Sequence, residues 1–242
     1  MTYNYSYKLD LLKKGFETGT FTNILKLKQK SCTSDTNNKY QIITYNKDIL
    51  SIDLLPKFGI YRSVILNENN KVLCFSPPKS IDYETFKNHY PINNDYIIAE
   101  EFVEGTMINV FWDSRIGLSG GWEMSTKKNI GANNKFYDNN KTFREMFLEA
   151  CKTCKLDLHA LNKNYCFSFV LQHPDNRIVV KFKTPQLYLI SCYIITESIN
   201  EDKDTIVLEA KMDSSVKDRF ANTTVKFPEK YLFDSYKNLE ER

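Results

Sequence analysis

The chain has 242 residues, 42% of them hydrophobic, and its 33 basic and 30 acidic residues leave a formal charge of only +3. That is enough apolar material for one large core or two small ones, which excludes a disordered chain. The charge is too small to announce a nucleic-acid partner by electrostatics alone. No apolar run approaches the roughly 20 residues that cross a bilayer, and the opening MTYNYSYKLD lacks the apolar stretch of a secretion signal. The expectation is a soluble, cytoplasmic protein with reduced thiols and no membrane partner.

Aromatic residues are 14% of the chain, with fifteen Tyr and sixteen Phe against eight Gly, a balance that favours strands. Residues 1–38 read as a helical preamble, with a weak amphipathic helix over Leu11 to Phe16, a short one over Ile24 to Leu27, and the polar break SCTSDTNNK. From Tyr40 the pattern turns to strands. YQIITY is the first, and IYRSVILN and KVLCFS form a hairpin around Glu68 to Asn70, ended by Pro77 and Pro78. A short helix over Tyr83 to His89 precedes YIIAEEF, a turn at Val103 to Gly105, TMINVFWD and WEMST, read as an antiparallel run.

The next helix spans Lys141 to Lys155, with Phe143, Met146, Phe147, Ala150, Cys151 and Cys154 at helical spacing on one face. That spacing makes its C-x-x-C core rather than a metal or redox pair, since no second Cys/His pair stands at a ligand spacing. NYCFSFVL, the turn HPDN, RIVVKFK and LYLISCYII follow as further strands. There is no internal repeat and no linker rich in Gly, Pro or Ser. The architecture predicted is α+β, antiparallel sheets flanked by helices, with a core over residues 39–200 and a tail over 201–242 that is less readable.

Two segments carry chemistry. EEFVEGTMINVFWD sets carboxylates at Glu100, Glu101 and Glu104 beside Gly105 at the start of an apolar strand. FSFVLQHPDNRIVV runs from a strand holding Phe167 and Phe169 through a tight turn to Arg177, a pairing of aromatic and cation that suits a nucleobase and a phosphate. Taken alone, each also fits a plain surface hairpin. His173 beside Pro174 reads as a structural histidine rather than a proton donor.

Together with YRSVILNENNKVLCFSPPKS, these segments resemble, in order and spacing, the adenylyltransferase domain of RNA ligases related to the phage enzyme. In that family an A-R-G-x-x-F strand and a K-F-F-N-like stretch precede E-K-x-D-G-S-L-I and F-E-x-x-x-P-x-N-R-I-V. The resemblance covers about Gly59 to Ile195, HPDNRIVV being its most specific piece, and extends to ligase-like proteins of large DNA viruses. It implies the nucleotidyltransferase, ATP-grasp-like fold of RNA ligases, with ATP and Mg²⁺ as cofactors and an RNA or DNA end as partner.

In such enzymes a lysine amine attacks the α-phosphorus of ATP, expels pyrophosphate and carries AMP to a 5′-phosphate end. Here Phe102 stands where that lysine belongs and Val170 where the carboxylate after the aromatic belongs. What the resemblance carries over is the binding apparatus: Glu101 beside the nucleophile position, Glu104 near the ribose, Phe169 against the base, and Arg62 and Lys79 towards the phosphates. Arg177 and Lys181 are the expected nucleic-acid or phosphate contacts. Lys127 and Lys128, on the loop after WEMST, are weak candidates for a substitute nucleophile, a solvated basic loop being the simpler account. The family's later E-G-x-V and K-x-K segments have no match: KFK at Lys181 to Lys183 comes too early and IVLEAKM near Lys211 fits poorly. Either the tail leads into a further C-terminal part past Arg242 or this half never had those segments. The reading is an RNA-ligase-like nucleotidyltransferase domain that binds ATP and a nucleic-acid end; the alternative is a catalytically inactive binding module derived from one.

Overall fold

The structure is a computed structural model, and it describes residues 6–8, 27–48, 50–91, 97–136, 140–176, 179–200, 203–210, 212 and 214–241. Two antiparallel sheets form the frame. The smaller runs in the order β2 (Leu27–Thr33), β3 (Lys39–Tyr45), β4 (Val64–Asn67), β5 (Val72–Phe75). Its central hairpin is closed by Asn67, whose side-chain oxygen accepts from the amides of Asn69 and Lys71, while Asn70 takes a left-handed φ of 60°. An asparagine that mimics backbone in this way is why N-E-N-N turns here.

The larger sheet has six strands in the order β1 (Ser6–Lys8), β11 (Lys203–Ala210), β10 (Gln186–Asn200), β9 (Tyr165–Gln172), β7 (Thr106–Asp113), β8 (Gly121–Ser125). A two-residue ladder joins β6 (Ala99–Glu100) to β12 (Lys230–Tyr231). The smaller sheet packs on one face of the larger. Tyr40 meets Phe111 edge-on at 6.1 Å and Phe75 meets Tyr193 at 5.1 Å, within a cluster that also holds Ile42, Ile65 and Cys166.

The other face is covered by the helix Phe143–Thr153 and by Val216, Phe220 and Val225, packed on Ile108, Val110, Phe167, Phe169 and Leu171. That helix starts where it does because Thr142 and Glu145 form a reciprocal capping box. Alternation along β7 and β9 thus feeds two cores, and a central strand buried on both faces reads as a nearly continuous apolar run.

A polar brace ties the sheets together. The Tyr40 hydroxyl donates to Asp113 at 2.7 Å, and Arg115 donates to the same carboxylate from Nη2 at 2.7 Å while lying 5.0 Å over the Tyr40 ring and reaching Glu68 at 3.2 Å. Asp113 is 1% exposed, so this pairing is what makes its burial tolerable.

The structure corrects three expectations. Leu27–Thr33, partly inside the expected helical preamble, is an edge strand paired with β3; its strong helix formers yield to pairing in the sheet. The Leu11 to Phe16 helix lies outside the described residues. AEEF does not form a hairpin with TMINVFWD: β6 pairs with β12, and β7 with β8 and β9. Residues 179–182 of RIVVKFK are not a strand, because Glu104 takes the Val179 and Val180 amides that a ladder would use. Within the tail, β11 pairs with both β1 and β10. The six cysteines are free thiols, Cys151 and Cys154 in the helix-side core. Among the described residues no helix is long and apolar enough to cross a membrane.

Candidate functional site

The two chemistry-bearing segments meet in space. One carboxylate oxygen of Glu104 accepts from the main-chain amides of Val179 at 2.8 Å and Val180 at 2.9 Å, and the Glu104 carbonyl accepts from Gln172 Nε2 at 3.0 Å. Asn176 Nδ2 donates to the Thr106 hydroxyl at 2.8 Å, which joins the HPDN turn to the start of β7. Gly105 has a φ of 146°, and a Cβ there would lie 2.5 Å from the Leu171 carbonyl oxygen, so only glycine permits this approach.

The turn itself is set by His173, which is buried. Its Nδ1 accepts from the Asp175 amide at 3.1 Å, and its Nε2 lies 3.0 Å from Glu149, a carboxylate that also accepts from Lys141 at 2.8 Å. The lysine draws the Glu149 carboxyl below the ordinary range, against the opposing effect of burial and with help from His173. The histidine positions the turn.

On the solvent side of this joint stands Phe102, 95% exposed. It borders a groove of about 610 Å³ lined by Tyr83, Phe86, Ile98, Phe233 and Tyr236. Glu101 is turned to structural use: its amide donates to the Glu229 carbonyl at 2.8 Å and its carboxylate accepts from the Glu229 amide at 3.3 Å. Tyr83, which lines the groove, and Lys87 both donate to Glu240.

The remaining predicted residues are dispersed. Phe169 is buried in the helix-side core, 5.8 Å from the Phe147 ring and 6.3 Å from Phe220, so as placed it offers no face to a nucleobase. Arg62 is half-buried and, among the described residues, makes no hydrogen bond or ion pair. Lys79 is exposed and donates to the Ser80 carbonyl. Lys181 is exposed and, among the described residues, unpaired, while Arg177 lies outside the described residues. Lys127 donates to the Tyr45 hydroxyl at 3.0 Å and sits 4.4 Å over its ring, bridging a loop of the larger sheet to the smaller one. Lys128 is exposed; its carbonyl accepts from Lys30.

Sequence reasoning missed a polar row across the middle of the larger sheet. Ser125, Asn109 and Ser168 are cross-strand neighbours on β8, β7 and β9, all fully buried. Alternation puts them on the face toward the smaller sheet, because Met124, Ile108, Val110, Phe167 and Phe169 belong to the opposite core. Ser168 donates to Asn109 Oδ1 at 2.8 Å, but Asn109 Nδ2, Ser125 Oγ and, just before β4, Ser63 Oγ have no partner among the described residues. Orphaned groups of this kind cost about 1–3 kcal/mol each unless something else satisfies them. The only signal in the sequence was polar residues inside apolar strands.

The fold and site therefore define a mixed α+β protein in which an acidic loop and an HPDN turn are locked together at one end of two packed antiparallel sheets. No protein-family model matches the chain. Over 99 residues it is 33% identical to an RNA ligase of Rhodothermus phage RM378, a stretch that covers 37% of this chain and 21% of that protein. The likeness is an RNA-ligase-like relationship over about a fifth of the ligase.

Proposed function

We propose that the chain is an RNA-ligase-like nucleotidyltransferase module that binds ATP and a nucleic-acid end and forms no lysyl-AMP at position 102. The observation that carries this reading is the clasp of Glu104 on Val179 and Val180, which joins the two segments whose order resembles the ligases, with a hydrocarbon ring where the nucleophile belongs. A phenylalanine has no lone pair to attack phosphorus. The likeness to a phage RNA ligase supports the same reading.

In this reading Arg62, half-buried and without a partner among the described residues, offers a guanidinium to phosphate, and the orphaned Asn109 and Ser125 groups offer hydrogen bonds to a ligand between the sheets. Lys79 and Lys181 add positive charge at the surface. Glu101 and Glu104 hold the loop through main-chain amides rather than touching the ribose. Among the described residues no group of three His, Cys, Asp or Glu is placed to hold a metal. Mg²⁺ therefore fits this chain only as a companion of the triphosphate, whose oxygens and water supply its ligands.

Incubation with α-labelled ATP and Mg²⁺ or Mn²⁺, followed by intact-mass measurement, is the test. The expected result is no covalent AMP adduct together with a rise in melting temperature as ATP is added. An adduct that disappears in Lys127→Ala or Lys128→Ala would move the chemistry to that loop and make the chain an enzyme. Neither adduct nor shift would remove the nucleotide pocket.

A further inference from the structure

We propose that Phe102 is a stacking platform for an unpaired base at a single-stranded nucleic-acid end, with Lys181 and Lys183 holding the adjoining phosphates. The inference rests on reading the chain as an end-binding module, and it gives the residue at the vacated nucleophile position a role of its own. A phenylalanine with 95% of its surface in water forgoes burial altogether, whereas every other described phenylalanine is buried or partly buried. Its loop is also fixed, by Glu101 against Glu229 on one side and by Glu104 against Val179 and Val180 on the other. A rigid loop that presents an aromatic ring to solvent is how single-stranded nucleic-acid binders offer a π-face, and any base can stack there.

The surroundings supply the rest of such a site. Val179 and Val180 are 73% and 51% exposed, and the clasp sets their amides two residues along the chain from Phe102. Lys181 follows Val180 directly and Lys183 stands two further on; both are exposed and, among the described residues, neither is paired. Lys181 is one residue and Lys183 three residues past Val180, so both lie on the segment that the Glu104 clasp holds to the Phe102 loop. The nearby carboxylates oppose this little: Glu101 and Glu104 face main-chain amides and Glu100 faces Lys230 at 3.5 Å. An apolar ring on a loop clasped to a segment with two cations unpaired among the described residues suits a base and its phosphates better than it suits a second copy of the chain, and stacking on the ring requires a base not already stacked in a duplex.

Fluorescence anisotropy of the full chain with a 5′-phosphorylated single-stranded RNA oligonucleotide tests this. Phe102→Ala is expected to weaken binding about five- to a hundredfold, as the loss of one stacked base does. Phe102→Trp is expected to keep the affinity and to add indole emission that the RNA quenches. Lys181→Ala and Lys183→Ala are each expected to flatten the salt dependence by about 0.7 in slope. Unchanged affinity in Phe102→Ala with no quenching in Phe102→Trp overturns the stacking role and leaves end binding in place. No RNA binding by the unmodified chain overturns both. Self-association that Phe102→Ala abolishes, with RNA affinity unaltered, assigns the surface to a second copy and overturns the proposal.

Discussion

Glu104 is one methylene longer than the aspartate of the ligase pattern, and with that length its carboxylate reaches two amides of a neighbouring turn. Glu104→Ala leaves those amides to water, because Val179 and Val180 are exposed, so the expected loss is only about 1–2 kcal/mol in urea unfolding. Gly105→Ala should cost more, on the order of 2 kcal/mol or above, since its Cβ would meet the Leu171 carbonyl at 2.5 Å in a backbone conformation side chains rarely adopt. At this scale the sequence was partly legible. The acidic setting of Phe102, between Glu101 and Glu104, was legible, but its 95% exposure was not, because phenylalanines are among the residues most often buried. The uses of Glu101 and Glu104 were hidden for another reason: both bond to main chain, which carries no residue type to recognise.

Strand β9 shows what pattern can and cannot decide for an element. Its six inner residues are all buried, and a strand covered on both faces gives no clue about which core each side chain enters. Phe169 therefore looked available to a base and instead packs between Phe147 and Phe220. Phe169→Ala is expected to lower stability by about 3–5 kcal/mol, measured by urea unfolding. The helix Phe143–Thr153 was legible because periodicity and a capping box agree, and TMINVFWD and WEMST because alternation and turn residues agree. RIVVKFK was misread because its amides are claimed by a side chain 75 residues away, a contact that no local window contains.

For the molecule as a whole, the attachment of the two sheets is sensitive to acid. Burial opposes ionisation of Asp113, but hydrogen bonds from the Arg115 side chain and amide and from Tyr40 outweigh it and hold the carboxyl below its ordinary range. A carboxyl depressed on folding contributes stability that is present above its unfolded value of about 3.9 and is lost as the pH falls through the folded value. The melting temperature of the unmodified protein should therefore exceed that of Asp113→Asn near neutrality. That gap should close progressively below about pH 4; a gap independent of pH would show that the brace acts through shape alone. Tyr40 belongs to the same brace, with burial first and the Asp113 contact second pushing its phenol well above the ordinary range, so it stays a donor at any ordinary pH.

The clasp at Glu104 has a kinetic corollary. A loop ordered before its ligand arrives surrenders little conformational freedom on association, so encounter rather than loop closure should set the on-rate. Affinity differences among ligands would then be written in their residence times.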